Sequence, residues 1–240
     1  MKIIIYPETW RSANSYLILA EHNYLIDPSL GPDKIAAKVD YLIATHGHFD
    51  HIAACDEWRE KADSKLFITV EDSAKLQDRE ANCSCLFCQP NTYQAAEHLI
   101  ANEEILQFEA TLRFKVLHTP GHTTGSICLL LESLYDQAAW QFEQASKTGS
   151  SQVEESQVNS GDSPDLVREQ FQPIALFTGD TVFADSIGRM DLPSGDPSQM
   201  RESLQKFKAW TKNLPADLIV FPGHGRALKL GELLSQNPYL

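Results

Sequence analysis

Short apolar runs alternate with polar, turn-forming segments along the first half of the chain. The runs are rich in β-branched and aromatic residues, which favours strands over helices. The first three runs are closely spaced and predict an antiparallel meander, and a helix is predicted at 51–60. This order of strands, loop, helix and strand is typical of an α/β fold. The predicted strands are at 2–6, 15–19, 23–26, 41–44 and 65–70.

The second half repeats this pattern of strands followed by helices. Leu204, Phe207 and Trp210 recur at helical spacing, which predicts a helix over 198–210. The two halves look like related units, so we expect two sheets covered by helices. The other elements predicted here are strands at 113–117, 126–131, 174–177 and 217–221 and a helix at 228–235.

A polar segment at about 133–172 interrupts the second half. It is rich in Ser, Gln, Glu and Asp and has few apolar residues, so it buries too little surface to order itself strongly. We interpret it as a low-complexity insertion, partly helical near 133–145. The prediction for residues 1–240 is therefore a single domain that carries one insertion.

Charge and hydropathy restrict the partners. The formal net charge is −13, and no basic segment marks a nucleic-acid surface. No apolar run approaches the roughly 18 residues that cross a bilayer. The first seven residues are soon broken by Pro7 and do not resemble a secretory signal. We expect a cytoplasmic protein that acts on a small molecule, with neither nucleic acid nor membrane as partner.

A cluster of candidate metal ligands follows the predicted strand at 41–44. His46, His48, Asp50 and His51 all lie within residues 46–51. Imidazole and carboxylate groups suit zinc, iron and manganese. On a looped backbone the first two side chains can point to one side and the last two to another, as two adjacent metal sites require.

Three more candidates follow later strands, and each stands next to a glycine: His122, Asp180 and His224. A neighbouring glycine lets the backbone turn sharply and approach a bound group. Together with the first cluster, these residues place five histidines and two aspartates at the edge of the predicted sheets. The remaining histidines, His22, His98 and His118, lack this context and are expected outside the site.

The order and spacing of these residues resemble those of the metallo-β-lactamase superfamily. The resemblance implies an αββα four-layer sandwich with its site at the sheet edges. It also implies two divalent metal ions, zinc being favoured and iron or manganese also suitable. The implied ligands are His46, His48 and His122 for one metal, Asp50, His51 and His224 for the other, and Asp180 as a bridge between both.

The segment 179–196 is similar to that of glyoxalase II-like hydrolases, also called hydroxyacylglutathione hydrolase-like enzymes. We expect Arg189 and Asp191 to form a buried ion pair that steadies the loop of Asp180. Phe183 belongs to the same segment and is a candidate for supporting the site or contacting substrate. The segment after His224 is short, and basic residues that hold glutathione are expected to have no counterpart in it.

The resemblance implies hydrolysis of a thioester such as S-lactoylglutathione. In this hypothesis a hydroxide held between two metals attacks the carbonyl, Asp50 orients it, and Asp180 links the metals. A thiolate leaves readily, so no dedicated general acid is required.

Other functions stay open at this point. A persulfide dioxygenase would use one iron held by His46, His122 and Asp180, and a lactonase of the same fold is also compatible. A metal-binding protein without turnover is disfavoured by the complete ligand set. A nuclease is disfavoured by the acidic charge.

The five cysteines are expected to be reduced thiols. Cys83, Cys85 and Cys88 form a C-x-C-x-x-C run, but no fourth ligand with suitable spacing supports a structural zinc site. The run lies between the two halves, where it can reach the mouth of the site. Phe87 and the thiols would then contact substrate.

Overall fold

Two mixed β-sheets form the centre of the molecule. The structure is a computed structural model and describes residues 1–135, 137–145 and 169–240. The helices are α1 (Phe49–Ile52), α2 (Cys55–Ala62), α3 (Pro197–Thr211) and α4 (Leu230–Gln236). The strands are β1 (Lys2–Tyr6), β2 (Ser15–Leu19), β3 (Asn23–Ile26), β4 (Tyr41–Ile43), β5 (Lys65–Thr69), β6 (His98–Ile100), β7 (Ile105–Glu109), β8 (Leu112–His118), β9 (Ile127–Ser133), β10 (Gln141–Gln144), β11 (Gln172–Gly179), β12 (Ile219–Pro222) and β13 (Leu228–Lys229).

The strand order follows the division into two halves except for β10, which joins the first sheet next to β1. Within the described ranges, the first sheet runs β10-β1-β2-β3-β4-β5-β6 and the second runs β13-β12-β11-β9-β8-β7. β1, β2 and β3 pair antiparallel, which confirms the predicted meander. β3, β4 and β5 pair parallel, so the chain must cross over between them. The helix predicted at 51–60 is divided into α1 and α2, because Ala54 leaves the helical conformation.

Three apolar clusters define four layers. The largest lies between the sheets and includes Tyr16, Phe114 and Phe177. A second includes Trp58 of α2 and packs on the outer face of the first sheet, and a third includes Phe207 of α3 and packs on the outer face of the second. The order is therefore helices, sheet, sheet, helices, which confirms the αββα sandwich.

Local sequence explains where α3 begins and which face it buries. The Asp196 side chain accepts hydrogen bonds from the backbone N–H groups of Ser198 and Gln199, at 2.7 and 3.0 Å, and Pro197 occupies the first helical turn. Leu204 and Phe207 are buried at helical spacing. The predicted helix 198–210 is confirmed with one more residue at each end.

The predicted insertion at 133–172 begins and ends on paired strands, because Ser133 of β9 lies opposite Gln172 of β11. Its first part was expected to be partly helical. A 3-10 turn does form at Gln137–Ala139, but the next residues form β10, which pairs parallel with β1. The helical expectation is therefore wrong for residues 141–144. Residues 146–168 of the predicted insertion lie outside the described residues.

The candidate ligands follow strands of both sheets. His46, Asp180 and His224 follow the ends of β4, β11 and β12, and His122 lies in the turn after β8. Ends of strands from two facing sheets thus meet at one edge of the sandwich. In the part of the chain that the structure describes, no helix has the length and apolar character that a membrane crossing requires.

Candidate metal centre

The loop after β4 is held by buried carboxylates on both sides. The Thr45 N–H donates to Asp27 Oδ1 at 2.7 Å, and the Gly47 N–H donates to Asp72 Oδ2 at 2.8 Å. These bonds fix the backbone on either side of His46. His48 lies directly before α1 and is buried. The loop conformation is thus set before any metal binds.

Asp72 also holds the loop that carries His122. Its carboxylate accepts from the Thr123 hydroxyl at 2.7 Å and from the Gly125 N–H at 2.9 Å. Asp72 is fully buried, and Lys75 Nζ lies 3.6 Å away to balance its charge. One carboxylate therefore fixes the relative position of two candidate ligand loops.

Three imidazole nitrogens converge at the first candidate metal position. His48 Nδ1 lies 3.2 Å from His46 Nε2 and 2.9 Å from His122 Nε2. All three side chains are buried. Their nitrogens form a group with the mutual spacing that a single metal ion requires.

A second group lies beside the first. His224 Nε2 is 3.3 Å from Asp50 Oδ2, and His51 Nε2 is 3.3 Å from Asp180 Oδ1. Asp180 reaches both groups, because its Oδ2 lies 3.4 Å from His122 Nε2 and 3.7 Å from His224 Nε2. The structure thus brings all seven candidate ligands together, with Asp180 between the two groups.

The nitrogens that face away from the centre are held by hydrogen bonds. His51 Nδ1 contacts Asp27 Oδ2 at 2.9 Å, and His224 Nδ1 contacts Glu8 Oε2 at 2.6 Å. His122 Nδ1 donates to the backbone carbonyl of Arg189 at 2.7 Å. Such partners fix the ring orientation and the tautomer, so that the opposite nitrogen presents its lone pair to the centre.

The pKa values differ between the histidines of the first group and His224 of the second group. Burial and the neighbouring imidazoles lower the pKa of His48 to about 3 and hold the pKa of His46 well below its usual range. Both rings are therefore neutral at pH 7. Burial also opposes charge on His224, but the hydrogen bond with Asp50 and the charge of Asp180 outweigh it and raise its pKa to about 9.

Unpaired buried atoms test whether a metal fits. His51 Nε2 and Asp180 Oδ1 are buried and have no hydrogen-bond partner of good geometry among the described residues. They face each other across the second group, 3.3 Å apart. Buried polar atoms without partners are costly, and a cation there removes the cost. The donor set of five imidazoles and two carboxylates fits divalent zinc, iron or manganese.

A cavity of about 490 Å³ opens above the centre and is lined by Asp50, Asp180 and His224. Phe183 and Arg189 also line it. The cavity lies within the usual size range of small-molecule sites. Substrate-sized molecules can therefore reach the candidate ligands.

The prediction that Arg189 and Asp191 form a buried ion pair is wrong about burial. The two side chains do pair, with Nε–Oδ1 and Nη2–Oδ2 distances of 2.7 Å, but they are 58% and 68% exposed. Turn residues around them, including Pro193 and Gly195, keep this loop at the surface. It is the backbone carbonyl of Arg189, bonded to His122, that touches the centre.

The cysteine loop reaches the cavity. Cys83 and Phe87 line it, and the Phe87 ring packs on Phe49 with centroids 5.1 Å apart. Cys85 is partly buried and Cys88 is exposed. Within the described residues, these thiols do not converge into a group of three or more metal ligands.

Sequence reasoning missed the residues that hold the ligands from behind. Asp27 directly follows β3, just as Asp180 follows β11, so the signal of a carboxylate at a strand end was available. Asp72 lies in the turn after β5, and Glu8 lies in the turn between β1 and β2. Neither has a sequence pattern that distinguishes it. His118, expected outside the site, donates from Nε2 to the backbone carbonyl of Thr124, 2.8 Å away.

Comparison with known proteins adds independent support. The chain is 28% identical over 225 residues to a Methanocaldococcus jannaschii protein named "Probable metallo-hydrolase", covering 89% of this chain and 88% of the relative. It is 26% identical over 253 residues to the hydroxyacylglutathione hydrolase GloC of Haemophilus influenzae, covering 100% and 98%. The crystal structure of the BLEG-1 B3 metallo-beta-lactamase superposes with a TM-score of 0.73 at 26% identity, covering 98% of each chain.

The family model described as the metallo-beta-lactamase superfamily matches residues 9–134, just over half of the chain. The αββα sandwich and the histidine-rich centre at its sheet edge agree with that match. The chain belongs to the metallo-beta-lactamase superfamily and is a metal-dependent hydrolase of that superfamily.

Proposed function

We propose that this chain is a thioester hydrolase with a binuclear metal centre. One metal would be held by His46, His48 and His122, and the other by Asp50, His51 and His224, with Asp180 as the bridge. Zinc suits this donor set best, and iron or manganese can replace it.

The observation that carries the proposal is the convergence of imidazoles on His48. Its Nδ1 atom is within 3.2 Å of His46 Nε2 and 2.9 Å of His122 Nε2. One ring proton can satisfy only one of these two contacts, and the remaining lone pairs repel each other. The three nitrogens would hold a shared cation, which would remove this repulsion.

The side chains around the cavity have defined roles in hydrolysis. Burial raises the pKa of Asp50, but the His51 charge and the hydrogen bond from His224 outweigh it and hold the pKa below its usual value. Asp50 is therefore ionised and can accept a hydrogen bond from the attacking water. Bound divalent metals supply Lewis acidity, which activates water and polarises a carbonyl.

The ionisation states of the carboxyl groups in the cavity favour a thioester substrate. The pKa of Asp180 is also held low, because the charges of His51 and His122 outweigh the effect of burial. Neither Asp50 nor Asp180 is thus a proton donor at neutral pH, and His224 gives up its proton when it binds metal. A thiolate leaves without protonation, whereas an amine does not. The similarity to a hydroxyacylglutathione hydrolase makes S-lactoylglutathione the first substrate to test.

The experiment measures hydrolysis of S-lactoylglutathione with and without a chelator, together with the metal content of the same preparation. We expect close to two metals per chain and cleavage that the chelator abolishes. Asp180→Ala should lose both metal and activity. Asp185→Ala is the matched control, since Asp185 is exposed in the same loop and does not line the cavity.

Other outcomes point elsewhere. One iron per chain with no thioester cleavage, together with oxygen consumption on glutathione persulfide, would contradict the proposal and indicate a persulfide dioxygenase. Two metals without thioester cleavage would leave the binuclear centre standing but reject the substrate class, and lactones would be tested next.

A further inference from the structure

The upper wall of the cavity differs chemically from its floor. The floor carries the candidate ligands, whereas the wall is formed by apolar side chains. The wall residues are Trp10, Phe49, Phe87, Phe183, Ile187 and Leu192.

Two of these wall residues are unusually exposed. Trp10 is 83% exposed and Phe87 is 52% exposed, although both are large aromatic rings. They belong to separate loops, one between β1 and β2 and the other after β5, and both line the same cavity. Exposed aromatic groups that meet at a cavity mouth mark a surface that binds an apolar ligand.

The two loops are connected to each other. The Arg11 guanidinium carbon lies 3.8 Å above the centroid of the Trp10 ring. With the Gln89 amide oriented so that its oxygen faces Arg11, that oxygen accepts from Nε at 2.9 Å and from Nη1 at 3.1 Å. Gln89 belongs to the loop that carries Phe87. Arg11 therefore links the loop of Trp10 to the loop of Phe87.

The positively charged side chains at this rim already have partners within the protein. In the described part of the chain, Arg189 is the single lysine or arginine that lines the cavity, and Asp191 engages it through two hydrogen bonds. Arg11 is committed to Trp10 and Gln89. Glu8 adds a negative charge to the lining. Glutathione carries two carboxylates, and each would have to compete with these partners for the two arginines.

We propose that the site takes uncharged thioesters with an apolar or aromatic group, and prefers them to glutathione thioesters. Trp10 and Phe87 hold the apolar group while the carbonyl lies over the candidate metal ligands. This inference rests on the proposed thioesterase activity, but the preference of the rim can be measured without turnover.

The first experiment measures binding of two thioethers, which cannot be hydrolysed, to the metal-loaded protein by calorimetry. Benzyl methyl sulfide represents the apolar class and S-methylglutathione the charged class. We expect the first to bind at least about tenfold more tightly. Trp10→Ala and Phe87→Ala should each weaken its binding about threefold to tenfold.

Phe142→Ala is the matched control for these two variants. Phe142 is an aromatic residue, 38% exposed, on the edge strand β10, and it does not line the cavity. Its replacement should leave both affinities unchanged. Tighter binding of S-methylglutathione than of benzyl methyl sulfide would overturn the inference.

The second experiment compares cleavage of the S-lactoyl thioesters of benzyl mercaptan and of glutathione. The acyl group is shared and both leaving groups are alkyl thiolates, so kcat/KM reports recognition. We expect a higher value for the benzyl thioester, and a raised KM for it in Phe87→Ala. A higher value for the glutathione thioester, or its selective loss in Arg11→Gln, would show capture of a carboxylate and would overturn the inference.

The two proposals fail in different ways. If benzyl methyl sulfide binds as expected and neither thioester is cleaved, the thioesterase proposal is wrong and the apolar preference of the rim stands. If both thioesters are cleaved and glutathione is preferred, the thioesterase proposal stands and the substrate class inferred from the rim is wrong.

Discussion

Asp27 and His51 form a buried pair behind the candidate metal centre, with Asp27 Oδ2 2.9 Å from His51 Nδ1. Both side chains are almost fully buried. The same carboxylate accepts from the N–H and the hydroxyl of Thr45, at 2.7 and 3.0 Å. Asp27 therefore orients His51, whose Nε2 faces Asp180, and also holds the loop that carries His46.

Replacing Asp27 with asparagine should weaken metal binding. Its φ of 52° is a left-handed conformation that asparagine tolerates, so the backbone is preserved. The amide NH₂ group, however, must face a donor, either the Thr45 N–H or His51 Nδ1. We expect metal affinity to fall by about 10- to 100-fold. Competition with a chromophoric chelator measures this change.

Asp33→Asn is the control for this variant, because Asp33 is exposed and its carboxylate pairs with the neighbouring Lys34. Its affinity should equal that of the wild type. An Asp27→Asn protein that folds and keeps wild-type affinity would show that His51 does not depend on this carboxylate.

Gly223→Ala should disrupt the candidate metal centre by steric overlap with two of its ligands. A Cβ atom at this position would overlap Asp180 Oδ1 and lie 2.7 Å from His51 Cε1. Both side chains must then move, and a shift of this size is expected to lower kcat/KM by about 100-fold and to reduce metal content. Metal analysis of the folded variant checks this. Gly231→Ala in α4 should change neither quantity, because its Cβ would come closest to Ala216, at 3.1 Å, and to no candidate ligand.

Metal binding at the second group should depend on pH. Burial lowers the pKa of His224, but the hydrogen bond with Asp50 and the Asp180 charge raise it overall to about 9. A metal binds the neutral ring, so below this pKa it must displace a proton. His51 of the same group must also be neutral to bind metal, and although burial opposes its charge, Asp27 and Asp180 raise its pKa well above the usual value. Affinity should therefore fall by at least tenfold per pH unit as pH decreases below about 9. Calorimetry in buffers of different ionisation enthalpy counts the released protons, and an affinity that does not change with pH would contradict the assignment.

The cysteines should differ sharply in reactivity. Burial raises the pKa of Cys128 to about 12 and that of Cys83 to about 11, whereas Cys88 is exposed. Because the thiolate is the reactive form, alkylation of the native protein should begin at Cys88, and that of Cys83 should accelerate as pH rises. Cys128 should react only after unfolding. Peptide mapping by mass spectrometry measures the order, and equal rates at Cys128 and Cys88 would be inconsistent with the structure.

The sequence predicted the fold and the candidate ligands because both have local signals. The strands are apolar runs, and His122, Asp180 and His224 each follow one beside a glycine. The strand β10 had no such signal, since all four of its side chains are exposed and it is held by backbone pairing with β1. Composition cannot reveal a strand whose partner is distant in the sequence.

Contacts between distant loops were equally invisible. Glu8 is 216 positions from His224 in sequence, yet the two side chains are hydrogen-bonded. The Arg189–Asp191 pair was predicted correctly as a pair but wrongly as buried, because loop exposure depends on the tertiary packing of both sheets. Residues that support a site from separate elements become visible only when the fold brings those elements together.

Anomalous diffraction from a crystal of the metal-loaded protein tests the binuclear centre most directly. We expect two metal peaks, one bound by His46, His48 and His122 and the other by Asp50, His51 and His224, with Asp180 contacting both. A single peak bound by His46, His122 and Asp180 would contradict the binuclear centre.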